Sequence, residues 1–471
     1  MSKITEKLDN DAARVQNQEE GCLHRGLKYR HIQMIAIGGS VGVGIFLASA
    51  EMIKRAGPAI LLVYGLVGLF VYIIMRSLCE LAVFKPVSGS FSAYANDYIG
   101  SYMGYLTGWS YWLLWCFGVM VETIAIGKYM SYWFDNVPNW IWTLGALVLI
   151  TLINLISVKL FGELEFWFSI IKVITILALI AVGFGIIVYS YFFGGFSGAG
   201  FHNLWAHGGF FPKGYGSIFM AIGPVAVAFV GIESIGLTAG ETENPSVNLP
   251  KAIDSVIFRV LLFYVGSLLI VMSIFPWNKM SSDVSPFVLT FNKIGLKSAA
   301  GLINFVVLTA AFSAGNSGLF SSSRMILTLA QQKNAPKFLS KLSAKQIPIL
   351  AVIFSSILMF SGVIINLIYP EGAFKMVFSA CGMAGFFIWA VILITQLRFR
   401  KKLGSAEVSK LKYRSFFFPI TNYVGLGFIG LSVFTGFVEG SFRLPLYLFL
   451  IWLAILSFIF SIKSYVQKSN K

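Results

Sequence analysis

The chain has 471 residues, of which 57% are hydrophobic and 12% charged, and its mean hydropathy is +0.78. A water-soluble protein of this length needs many more charges to cover its surface, so a soluble globular fold is excluded. The formal net charge of +16 does not point to nucleic acid, because an excess of Lys and Arg in the inner loops of a membrane protein gives the same balance.

Residues 1–30 are polar and charged, with no apolar segment ahead of the first long apolar run. They are predicted to form a cytoplasmic tail without a cleavable signal peptide. Six apolar runs follow at 31–54, 58–83, 102–134, 138–157, 163–193 and 215–239. Six more lie at 252–276, 294–331, 347–368, 371–397, 415–436 and 443–465. Each is long enough to cross the ~30 Å hydrocarbon layer as a helix. Lipid offers no partner to unpaired backbone groups, so only helices or a closed barrel can span it. The runs are continuous rather than alternating, which selects helices. The expected fold class is all-α and integral to the membrane, with about twelve transmembrane helices. An even number of spans puts both termini on one side. With those termini inside, Lys and Arg are about three times as numerous on inner loops as on outer ones. Loop 398–414 is strongly basic and reads as a topology signal that also meets anionic lipid. Two further helices, 415–465, and an inner C-terminus, 466–471, complete the chain.

Span one contains Gly38-Gly39-Ser40-Val41-Gly42-Val43-Gly44, preceded by Ile37. Span six contains Gly223-Pro224 and then Phe229-Val230-Gly231-Ile232-Glu233. In a single span, glycines need only allow close helix packing. Glycine interruptions at matching places in two halves point instead to an inverted repeat, here 31–193 and 194–397. A half-helix starting near Gly42 turns free N–H groups and a positive dipole end toward the membrane midplane, which suits a carboxylate. A break near Phe229 and Val230 frees carbonyls, which suit an ammonium. Together they fit an α-amino acid.

Lys172 sits well inside span five, where a lysine costs about 2.5–3.5 kcal/mol on insertion scales. Burial disfavours its charge, so a lysine that sheds its proton within the cycle is a candidate proton carrier; a lysine held charged by a neighbouring group is the alternative. Glu233 either carries a proton or bonds backbone N–H groups at the span-six break. Glu122 in span three is a supporting candidate, six residues from Lys128 and so poorly placed to pair with it on one helix face. Asn316 interrupts span eight and is suited to bonding a neighbouring helix. The stretch Glu241-Thr242-Glu243-Asn244-Pro245 to Lys251 reads as a turn before span seven. Cys22, Cys79, Cys116 and Cys381 show no paired spacing, and the four histidines show no metal-ligand spacing, so neither a disulfide nor a metal site is expected.

The stretches RHIQMIAIGGSVGVGIF (30–46), FGELEFWFSIIKV (161–173), AFVGIESIGLTAGETENP (228–245) and NFVVLTAAFSAGNSGLFSSSRMILTLAQQKNAP (304–336) resemble the amino-acid permeases of the amino acid–polyamine–organocation superfamily. The resemblance spans essentially the whole chain. It implies two inverted five-helix repeats plus two helices, alternating access around a midplane site, and residence in the bacterial inner membrane. It implies that Gly42, Val43 and Gly44 hold the substrate carboxylate, that Phe229–Gly231 hold the amine, and that Lys172 couples protons where sodium-coupled relatives bind an ion. Val43 departs from the Ser or Thr common between the two glycines. Val227 stands where relatives often have an aromatic gate, so the pocket is wider or the gate lies elsewhere, for example at Phe229. The loop and span-eight wording looks most similar to the branch carrying D-serine, D-alanine and glycine. Import of a small or neutral amino acid with a proton is the expected activity. The rivals are sodium coupling, exchange, or a sensor without flux. No Ser-His, His-Glu-x-x-His or paired-carboxylate constellation lies in the spans, so no enzyme and no cofactor are expected.

Overall fold

The computed structural model describes residues 42–469, apart from 88, 157, 195–197, 282, 283, 294 and 296. The tail 1–30, with Ile37 and Gly38 of span one, lies outside the described residues. The regular structure of the described residues is helical throughout. Eleven stretches are long and apolar enough to cross a membrane, the first of which, Ala48–Phe84, takes in the end of span one together with span two.

The helices in chain order begin with α1 (Val43–Phe46), α2 (Ala48–Ala56), α3 (Ile60–Phe84), α4 (Ser90–Tyr98), α5 (Ser101–Met130), α6 (Asn139–Ile156), α7 (Val158–Phe193) and α8 (Gly216–Val227). A 3-10 segment, Ile232–Glu241, continues span six. Span seven follows as α9 (Pro245–Arg259), a π-turn segment Val260–Gly266 and α10 (Ser267–Ile274). Then come α11 (Pro286–Lys293), α12 (Lys297–Gln331), α13 (Ile349–Ile368), α14 (Ala373–Leu403), α15 (Ser405–Val408), α16 (Ile420–Glu439) and α17 (Arg443–Ser469).

Every predicted span from the second onward meets a helix within a few residues. Three boundaries move. Asn244 takes a left-handed conformation (φ 47°) and Pro245 opens α9, so the expected turn shrinks and 245–251 are helical. Proline suits the first helical position because its missing N–H would have no partner there anyway. Span ten extends to Leu403, and α17 runs to Ser469 through most of the expected C-terminal tail. The short helices α4 and α11 were not expected. They occupy the same place in the two halves, after the second and the seventh span.

Burial separates centre from rim. In α5 83% of the most apolar window is buried inside the protein, against 17% in α17. α5 packs on α12, α14, α6 and α13 and is the central strut. Hydroxyls in this apolar interior bond to carbonyls of their own helix, as Thr107 does to Met103 (2.6 Å) and Ser432 to Phe428 (2.9 Å). Amides reach across helices instead, as Asn366 Nδ2 does to Thr143 Oγ1 (2.8 Å).

The basic run at the end of α14 and the loop after it are more than a topology signal. Arg400 donates two hydrogen bonds to the fully buried Glu80 carboxylate of α3, at 2.6 and 2.5 Å. The Ser415 N–H donates to the same carboxylate at 2.6 Å. Arg76 donates to the Arg414 carbonyl (3.0 Å) and to Asp254 of α9 (3.0 Å), and its guanidinium lies 3.6 Å over the Phe416 ring. The segment Tyr413–Phe416 is thereby clasped into the bundle between α3 and α14.

Candidate functional site

Span six breaks where the sequence suggests. α8 ends at Val227, and the chain turns through Ala228–Val230 to Gly231, whose φ of 108° is left-handed and favours glycine. The Glu233 carboxylate reaches back and accepts the Gly231 N–H (3.2 and 3.0 Å), and it also accepts the Trp389 indole N–H of α14 (3.1 Å). Glu233 is fully buried and occupied as a staple of the break. Of its two expected roles, the geometry builds the structural one.

Among the described residues of span one, Gly42 is in extended backbone (φ −127°, ψ −152°) and a helix begins at Val43. A Cβ on Gly44 would lie 3.0 Å from the Ala228 Cα, Cβ and carbonyl oxygen. The two interrupted spans touch here, so glycine at 44 answers a protein backbone as well as any ligand. Gly44→Ala forces a shift of a few tenths of an ångström at the contact, at a cost of about 1–3 kcal/mol for overpacking. We expect at least tenfold lower initial uptake from Gly44→Ala in proteoliposomes, with the folded fraction in detergent largely kept.

The freed N–H of span one has a partner that the sequence reading did not assign. Val43 N–H donates to Glu122 Oε1 at 3.4 Å. A Cβ on Gly42 would sit 2.5 Å from that oxygen, so Gly42 leaves room for a protein carboxylate. Glu122 Oε2 is buried with no hydrogen-bond donor among the described residues. Glu122 does not pair with Lys128, whose ammonium lies 5.8 Å from the Phe374 ring centre. Its electrostatic partner is Lys172 of α7, which is fully buried. The charge of a base on one helix thus acts on an acid of another beside the span-one break.

A small cavity of about 60 Å³ lies at the two breaks, with Glu122 in its lining and Lys172 and Glu233 outside it. Gly42, Val43, Gly44, Glu122, Val227, Val230 and Gly231 line it, as the motifs suggest. Phe229 does not. Its ring is fully buried and stacks on Tyr264 at 4.6 Å, and its carbonyl accepts the Ile232 N–H at 3.3 Å. The turn points the Phe229 side chain into the packing behind the break, and its carbonyl already accepts one hydrogen bond. Asn316 also faces away, accepting from Asn154 Nδ2 at 2.8 Å. Leu114, Trp115, Ala314, Phe378 and Cys381 line the cavity without any sequence signal, since an apolar residue facing a cavity reads like one facing a neighbouring helix.

The amino acid permease family profile matches residues 31–470. The chain belongs to the amino acid permease family. It is 47% identical over 447 residues to an uncharacterized amino acid permease, YtnA, of Bacillus subtilis, covering 95% of this chain and 96% of that protein. It is 43% identical to the probable threonine/serine transporter YbxG of Bacillus subtilis, covering 92% of this chain and 93% of that one. It is 39% identical to the aromatic amino acid transport protein AroP of Escherichia coli, covering 95% of this chain and 98% of that one. This permease is a membrane transporter rather than an enzyme. These relatives lend no support to the D-serine, D-alanine and glycine branch.

Proposed function

We propose that this permease imports a small neutral amino acid across the bacterial inner membrane in symport with a proton. One observation carries this reading: the breaks at Gly42 and Gly231, and a carboxylate oxygen with no hydrogen-bond donor among the described residues, border the same small cavity. In this reading the substrate carboxylate displaces Glu122 from the Val43 N–H and takes the backbone of Gly42–Gly44, which frees Glu122 to join the break at Val230–Gly231 in holding the ammonium. The apolar walls Val43, Val227 and Val230 and a volume of about 60 Å³ favour a short side chain over an aromatic one. Lys172 supplies the coupling: its charge faces Glu122, and a proton gained or lost by the pair changes the field at the span-one break. Glu233 keeps the staple role, and the excess of Lys and Arg on one set of loops supports cytoplasmic termini.

Uptake into proteoliposomes tests this directly. We expect accumulation with an inward proton gradient at zero sodium, competed best by alanine, serine, glycine or threonine and poorly by tryptophan. Accumulation that follows a sodium gradient instead, or only counterflow against internal amino acid, removes the proton reading. Tryptophan competing as well as alanine removes the size argument.

A further inference from the structure

A second, larger cavity of about 250 Å³ adjoins the first. Glu51, Arg55, Glu371 and Lys375 border it, on the side that the charge count makes the outside. Among the described residues a single side chain belongs to the linings of both cavities, Phe378 of α14. We propose that Phe378 is the partition between this outer vestibule and the central cavity, and that its ring must swing aside for a substrate to pass.

The surroundings of Phe378 fit a movable partition. The ring is half-buried and stacks on Phe374 one turn earlier, with centroids 5.7 Å apart and planes 17° from parallel. Below it α14 carries Ala380, Cys381, Gly382 and Gly385, so the helix offers little bulk of its own there. Span six supplies only Val227 at the facing position, and it is pressed so closely on α14 that a Cβ at Gly382 would lie 2.3 Å from its Cγ2. A valine that tight can neither swing nor fill the mouth of the cavity. An aromatic ring turns about two side-chain bonds and covers a large area, so one rotamer change opens a path. The ring also screens the charged rim of the vestibule from the Glu122 carboxylate below, which strengthens electrostatic interactions in the central cavity while it is shut.

The inference rests on the central cavity being the substrate site, and the native thiol of Cys381 in the wall of that cavity separates the two claims. The test uses the full chain with Cys22→Ser, Cys79→Ala and Cys116→Ala, leaving Cys381 as its one cysteine. A charged, membrane-impermeant methanethiosulfonate is added outside intact cells, and the labelling rate is measured. We expect Phe378→Ala to label at least tenfold faster than the parent, and Phe378→Leu to fall between. Ser441→Ala, a vestibule residue outside the Phe374–Phe378 stack, should label at the parent rate. Equal rates for the parent and both Phe378 variants, in protein that elutes as a folded monodisperse peak, overturn the partition. So does labelling that occurs only in inverted membranes. Faster labelling in Phe378→Ala without protection by any amino acid upholds the partition and removes the substrate reading. Protection by alanine or serine with no effect at Phe378 does the reverse.

Discussion

Lys172→Arg is expected to bind and exchange amino acid while failing to accumulate it against a gradient. A guanidinium keeps the positive charge beside Glu122 but does not release its proton within a physiological cycle. The static attraction survives and the exchangeable proton is lost. Lys172→Ala is expected to be equally unable to accumulate and much less stable. It leaves Glu122, hydrogen-bonded to the Val43 N–H, without its counter-charge inside the protein. Removing one partner of a buried pair typically costs about 3–5 kcal/mol. The double variant Lys172→Ala/Glu122→Gln removes both charges, so it should melt closer to the parent than Lys172→Ala does and still show no pH-driven accumulation. Exchange retained by Lys172→Arg separates coupling from folding, since lost stability alone would abolish exchange together with accumulation. Accumulation that still tracks the pH gradient in Lys172→Arg would sink the assignment.

The sequence made the spans legible because each is a continuous apolar run of membrane length, a signal that needs no knowledge of neighbours. Both interruptions were legible because glycine and proline act on their own backbone, and Gly231 takes a left-handed turn that a residue with a side chain rarely adopts. The partners of polar residues were not. Glu122 was weighed against Lys128 on its own helix, whereas its hydrogen bond comes from Val43, 79 positions earlier, and the cation whose charge acts on it is Lys172 on another span. Phe229 looked like a pocket residue because it sits in the right motif, but the direction of a side chain in an irregular turn follows from coordinates and not from spacing. The short helices α4 and α11 were missed because Ser90–Tyr98 and Pro286–Lys293 are too short to show a clear period. The basic run at Arg398–Lys402 was read for its sign alone, and sign does not distinguish an arginine that meets lipid from one that enters the bundle.

That arginine supports the other large effect. Arg400→Leu leaves Glu80 buried as a carboxylate with the Ser415 N–H in place of a counter-ion, and Glu80→Leu leaves Arg400 with the Ser415 carbonyl at 3.3 Å and the Phe418 ring at 4.3 Å but no counter-charge from Glu80. Each single change should cost about 3–5 kcal/mol, read as a clear fall in the detergent melting temperature. The double change Glu80→Leu/Arg400→Leu should lose much less than the sum, because neither charge is stranded and two apolar side chains can pack against Phe399 and Phe84 nearby. Arg398→Ala and Lys401→Ala, on exposed positions of the same run, should stay within about 0.5 kcal/mol of the parent. A basic run that acted only through lipid or topology would show the opposite grading, with the exposed cations mattering most and Arg400→Leu melting with the parent. Because the clasp ties α3 to the end of α14, and Phe378 lies on that same α14, the melting series also shows whether the helix carrying the partition is anchored at its far end by ions or by packing alone.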